Sequence, residues 1–243
     1  IYRKDVKNPK LALKYMAEAS KNGSLKATNY MGLWSLQGYH DLVVVDENKA
    51  FEIFLYVAEW KSDKFKADKA YANGMLARIF GRRGEQDKQL RYYRQSAALG
   101  HRFQLDYART LMSAKPSNEL NIGKALMWAD ISEQRAVKEK KIERAAEAAN
   151  IVASILDRID PHLMGVAADA SFQCESNIET CDLIIERIYS ASLAKKAAAE
   201  KTKRTAELAA KKAADEKAKR AAELAAKKAA DEKAKRAAEL AAK

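Results

Sequence analysis

The chain has 243 residues, 48% of them apolar, with only 3 Pro and 9 Gly, a composition that favours helix and leaves room for one or two domains. Its net charge of +12 is unevenly placed: residues 195–243 hold 16 basic and 8 acidic side chains, a net +8, so the first 194 residues carry only +4. No run of about eighteen apolar residues occurs, which excludes a membrane-spanning helix from this sequence, and with no apolar leader after Ile1 any secretory signal has to precede it.

Helix starts are signalled at Asn8, an N-cap ahead of Pro9, at Asp46, and at Ser117/Asn118 after Pro116. Four segments then share one pattern: ALKYMAEASKNG (12–23), AFEIFLYVAEWK (50–61), QLRYYRQSAALG (89–100) and ALMWADISEQRA (125–136). Their columns run Ala12/Ala50/Gln89/Ala125, Tyr15/Ile53/Tyr92/Trp128, Met16/Phe54/Tyr93/Ala129 and Ala19/Val57/Ser96/Ser132, with starts 38, 39 and 36 residues apart. Large and small residues alternate at helical spacing, so each segment presents an apolar stripe and a close-packing face. Between them, ATNYMGLWSLQG (27–38) and ANGMLARIFGRRG (72–84) align with each other, and QLDYARTLMSA (104–114) is a looser third member. Helix pairs recurring at this period predict an all-α chain built as an α-solenoid, in which each pair buries its face against its neighbours.

Residues 8–136 resemble the Sel-1-like repeat family, relatives of the tetratricopeptide repeats. Ala27, Met31, Gly32 and Gly38 fit its first-helix pattern; Ala12, Tyr15, Met16, Ala19 and Gly23 fit the second, as do Tyr92, Tyr93, Ala97 and Gly100. The second repeat departs from the pattern with Lys61 in place of Gly and an insertion at 61–68, and the fourth degrades to Ser132, Glu133 and Ala136. The resemblance implies a protein-binding scaffold without catalysis, cofactor or small-molecule substrate, exported or periplasmic, with a cytoplasmic setting as the alternative. It also implies a concave groove along the first helices, whose candidates here are Tyr30, Trp34, Tyr71, Arg78, Arg82 and Tyr107.

The segment 132–160 reads as one long polar helix closing a solenoid domain of residues 1–160. After Pro161, HLMGVAADASFQ (162–173) and IETCDLIIERIY (178–189) predict a capping hairpin over 161–190, its second helix opened near Asn177 by a capping box of Ser176 and Glu179. Cys174 and Cys181 flank that turn. On one helix they would stand about 10.5 Å apart, too far to bridge; across a turn they can meet as a disulfide, with two unpaired thiols as the other possibility. A bond would favour an oxidising compartment.

From 191 to 243 the sequence is an Ala/Lys/Glu-rich repeat of sixteen residues, DEKAKRAAELAAKKAA in its clearest copy (215–230). Every acid precedes a base by four residues, from Glu200–Arg204 and Glu207–Lys211 to Glu239–Lys243, the orientation worth roughly 0.2–0.5 kcal/mol per pair on a helix. Leu208, Leu224 and Leu240 recur every sixteen residues, which matches no coiled-coil repeat. A solvated single helix acting as a stiff spacer is predicted. Its composition resembles the long Ala/Lys/Glu helix of TolA, which bridges the bacterial periplasm. Half of its bases already face an acid and no aromatic residue offers a stacking platform, which argues against a nucleic-acid arm; a basic-tailed binder of nucleic acid or anionic surfaces is the alternative. His40, His101 and His162 lie about sixty residues apart, and no triad, metal spacing or phosphate loop is evident.

Overall fold

The computed structural model describes residues 8–100, 103–115, 118–157, 159–174 and 178–241, with side chains as far as Ala222 in the last helix. The fold is all-α. Among the described residues the helices are α1 (Pro9–Lys21), α2 (Leu25–Gln37), α3 (Glu47–Ala58), α4 (Lys66–Arg82), α5 (Gln86–Ala98), α6 (Gln104–Ser113), α7 (Glu119–Lys138), α8 (Ile142–Leu156), α9 (Pro161–Cys174) and α10 (Cys181–Ala241). Short 3-10 turns at Asp63–Phe65 and Ile178–Thr180 precede α4 and α10. The chain divides into two units, the first ending at Tyr189 and the second beginning at Ser190, within α10.

Local chemistry sets the starts of several helices. Asn8 accepts from the Leu11 amide at 3.0 Å, Asp46 from Lys49 at 2.9 Å and Asn118 from Asn121 at 2.7 Å, each satisfying a donor that the first turn leaves unpaired. In the first unit each helix packs on the next from α1 to α8, and α9 returns to α7. The apolar stripes account for this order. Ala50, Phe54 and Val57 of α3, Tyr93, Ser96 and Ala97 of α5, and Ala125, Ala129 and Ser132 of α7 are all buried, and each large side chain so placed contributes roughly 1.5–3 kcal/mol. The aligned residues of α1, Ala12, Met16 and Ala19, are half-buried.

Residues 132–160 are not one helix. α7 ends at Lys138 and α8 begins at Ile142, because Lys140 takes a left-handed conformation, φ +55°. The Lys140 amide donates to Val137 O and the Lys141 amide to Ala136 O, the pair of bonds that closes a helix around a left-handed residue. The same bonds end α1 at Gly23 and α4 at Gly84. Lysine carries a steric penalty in this conformation that glycine does not. Lys140→Gly is therefore expected to stabilise the first unit by about 0.5–1 kcal/mol, read as a higher denaturant midpoint at unchanged slope.

The residues expected as a hairpin use α7, not each other, as their main support. Gly123 lies in the middle of α7, where an added Cβ would stand 3.0 Å from Leu163 Cδ1 of α9 and 3.5 Å from Ile185 Cδ1 of α10. A 3-10 turn at Ile178–Thr180 runs directly into α10 at Cys181; Ser176 of the expected capping box, and Asn177, lie outside the described residues. The structure joins Cys174 to Cys181 by a disulfide, with Cα atoms 5.3 Å apart.

In the second unit the described residues continue α10 as one helix whose side chains, as far as Ala222, are nearly all exposed. The predicted pairs Glu200–Arg204 and Glu216–Arg220 are closed at 2.7 Å. Leu208 is 61% exposed. Side chains of the later pairs, and of Leu224 and Leu240, lie outside the described residues. No helix among the described residues is long and apolar enough to cross a membrane.

Candidate interaction surface

The first nine residues of α10 belong to the first unit, and their sequence explains how they seat. Cys181, Ile185 and Tyr189 fall on one helical face, and Asp182 stands within that apolar stripe. Cys181, Asp182 and Ile185 are buried, Asp182 at 3% exposure. A carboxylate in such a place must be matched by donors, and three converge on it. Trp128 Nε1 of α7 donates to Oδ1 at 2.7 Å, Tyr107 Oη of α6 donates to Oδ2 at 2.8 Å, and Arg94 Nε of α5 approaches Oδ2 at 2.9 Å. Further acids of the same segment reach further bases. Glu179 Oε1 takes Lys66 Nζ of α4 at 2.6 Å, Glu186 pairs with Lys124 of α7, and Tyr189 Oη donates to Glu119 Oε2 at 3.0 Å.

The phenols report this environment. Burial, and then the Asp182 carboxylate, push the Tyr107 hydroxyl far above its usual range. Burial, reinforced by Asp106 and partly offset by Arg78, raises Tyr93 to about 12. A phenol whose folded pKa lies above the unfolded value of about 10 stabilises the fold below pH 10, and that contribution is lost as pH rises from 10 toward 12. Tyrosinate absorbance should accordingly lag in the native protein and catch up only as it unfolds above pH 10. In denaturant all ten tyrosines should titrate in one step.

The six groove candidates divide by burial. Trp34 (5% exposed) and Tyr107 (3%) lie inside the fold, not on a surface. Trp34 stacks on Tyr39 with ring centroids 4.0 Å apart, and Tyr107 is committed to Asp182. Tyr71 packs between Phe54 and Phe103, at 6.2 and 6.1 Å. Tyr30 is half-buried on α2. Arg78 and Arg82 are exposed, but each has an acid: Arg78 lies over the Phe103 ring and pairs with Asp106, and Arg82 pairs with Glu47. Arg83, just past the end of α4, and Arg109, on α6, pair with Glu47 and Glu147. The structure does not bring the six together as one lining.

An open cleft of about 510 Å³ lies elsewhere, between α3, α4, α5 and the turn before α10. Glu59 lines it at the end of α3 and Asp63 in the turn before α4; Lys66, Lys69 and Asn73 come from α4, Arg91, Tyr92 and Gln95 from α5, and Glu179 from the turn before α10. Ser96 Oγ donates to Ala70 O at 2.7 Å and fixes the register of α5 against α4. Sequence reasoning missed this cleft and the Asp182 cluster. The readable signal for the cluster was an acid set inside the apolar stripe of 178–189. No family model matches the chain, and no curated protein or solved structure is detectably similar to it.

Proposed function

We propose that the chain is a non-enzymatic protein-interaction scaffold, a short solenoid of Sel-1-like helix pairs whose second unit serves as a stiff, charged helical spacer. The observation that carries this is the open cleft between α3, α4 and α5, of mixed charge and walled by three successive helices, which offers a peptide segment both polar and apolar contacts. The closed acid–base pairs of the second unit support the spacer, since they stabilise an isolated helix without a packing partner. The Cys174–Cys181 disulfide supports an oxidising compartment, in keeping with a protein of the bacterial cell envelope.

A photocrosslinker placed at Gln95, in the cleft, tests the scaffold against one placed at Lys212. Capture of a protein from envelope extracts should occur at Gln95 alone, survive removal of residues 195–243, and be lost on Arg91→Glu. Capture that depends on residues 195–243 instead would sink the proposal. The net +8 of those residues favours a second reading, as a binder of nucleic acid or anionic surfaces. That reading requires retention on DNA that falls steeply between low and physiological salt and disappears with residues 195–243. The exposed arginines on and just after α4 and on α6 favour the scaffold, because an acid already meets each of Arg78, Arg82, Arg83 and Arg109.

A further inference from the structure

The segment 178–189 shows what kind of ligand the face of α4–α7 accepts. Its acids at 179, 182 and 186, spaced three and four apart, form one ridge. That ridge meets a row of bases: Lys66 on α4, Arg94 on α5 and Lys124 on α7. The chain thus seats an acidic ridge of its own against basic residues of several helices.

The row does not stop there. Lys69 stands one turn beyond Lys66 on α4, and Arg91 one turn before Arg94 on α5. The Ser96–Ala70 hydrogen bond sets the two helices so that both steps lead the same way. That direction is into the open cleft, which Lys69 and Arg91 both line and which Glu179 borders. Neither has a carboxylate partner among the described residues, although Lys69 is half-buried. The Gln95 amide stands beside them and can bond peptide groups. Glu59, at the end of α3, and Asp63, in the 3-10 turn before α4, also line the cleft, while Lys69 and Arg91 stand on α4 and α5.

We propose that this cleft is the unoccupied continuation of the face that holds 178–189, and that it takes an acidic segment of a partner protein, with the partner's carboxylates on Lys69 and Arg91. The proposal rests on the scaffold function and specifies its partner chemistry; continuity with the seated ridge and the two cations Lys69 and Arg91 carry it.

The test uses the full chain and a fluorescein-labelled twelve-residue peptide of Ala with Glu at alternating spacings of three and four. A peptide with Lys at the same positions is the control. The Glu peptide is expected to bind, and the Lys peptide not. Lys69→Glu with Arg91→Glu should weaken the Glu peptide at least about tenfold, as the Gln pair of substitutions should also do if the Glu pair perturbs folding. The charge-matched reversal Lys212→Glu with Lys217→Glu should leave it unchanged. Equal binding of the two peptides, equal loss in the 212/217 variant, or no binding of either peptide would each overturn the proposal. In the last case capture through Gln95 could still succeed, so the scaffold and its acidic ligand fail separately.

Discussion

Asp182→Ala should lower the stability of the first unit by about 3–5 kcal/mol, the range for removing one member of a buried charged cluster. The side chain itself is small; the loss arises from what it leaves behind. Trp128 Nε1 and the Tyr107 hydroxyl would remain buried without an acceptor, and Arg94 would lose its carboxylate. Asp182→Asn keeps the shape but sets an amide N–H₂ against donors, so it should lose a substantial part of the same free energy. Denaturant unfolding followed through tryptophan fluorescence and helix signal measures both. A second substitution separates the carboxylate from mere packing: combined with Trp128→Phe, the loss should be less than additive by about 1 kcal/mol or more. Additive losses, or an Ala variant within about 1 kcal/mol of the parent, would show that the carboxylate does not hold the segment.

Gly74→Ala should cost about 2–3 kcal/mol although it adds a single methyl group and alanine is the better helix former by about 1 kcal/mol. Gly74 sits inside α4 where the Phe103 ring, fully buried at the head of α6, presses against the helix. A Cβ there would lie 2.0 Å from the ring carbon Cδ2. The ring is not free to withdraw, since Tyr71 and Tyr93 pack beside it and Arg78 lies 4.8 Å from its centroid. Thermal or denaturant unfolding of the variant checks the loss. Phe103→Leu should be destabilising alone yet recover part of the Gly74→Ala defect in the double variant. The exposed Gly84 offers the contrast: a Cβ there meets no atom within 4 Å, so strain at φ +73° would be the sole source of any loss.

Much of the helical order was legible because the signals are local. Asn8, Asp46 and Asn118 cap where their side chains must, and Gly23, Gly84 and Gly100 take the left-handed conformations that end helices. Lys140 does the same without advertising it, which is why 132–160 looked continuous. Its conformation is set by the packing of α8 on α7 and not by its own preference. The burial of Trp34 and Tyr107 was hidden for another reason. A helical period shows that an aromatic lies on a face but not whether another element covers that face. Tyr39 and Asp182, which complete those two environments, lie outside the helices on which the aromatics were read. The cleft escaped for the same cause, since it is the packing of α5 against α4 that brings Lys69 and Arg91 to one opening.

The seating of 178–189 also fixes an order of events. Contacts from α1 to α8 join helices that follow one another, apart from a smaller contact of α2 with α4, so they can form as the chain lengthens. Asp182 is 54 residues from Trp128 and 75 from Tyr107, and Glu179 is 113 from Lys66. During synthesis the stack of helices can thus be complete while its last face still waits, with an indole N–H and a phenol O–H pointing at a place not yet filled. Only when Asp182 arrives does the unit close, and the remaining length of α10 is made after the fold that precedes it can be finished.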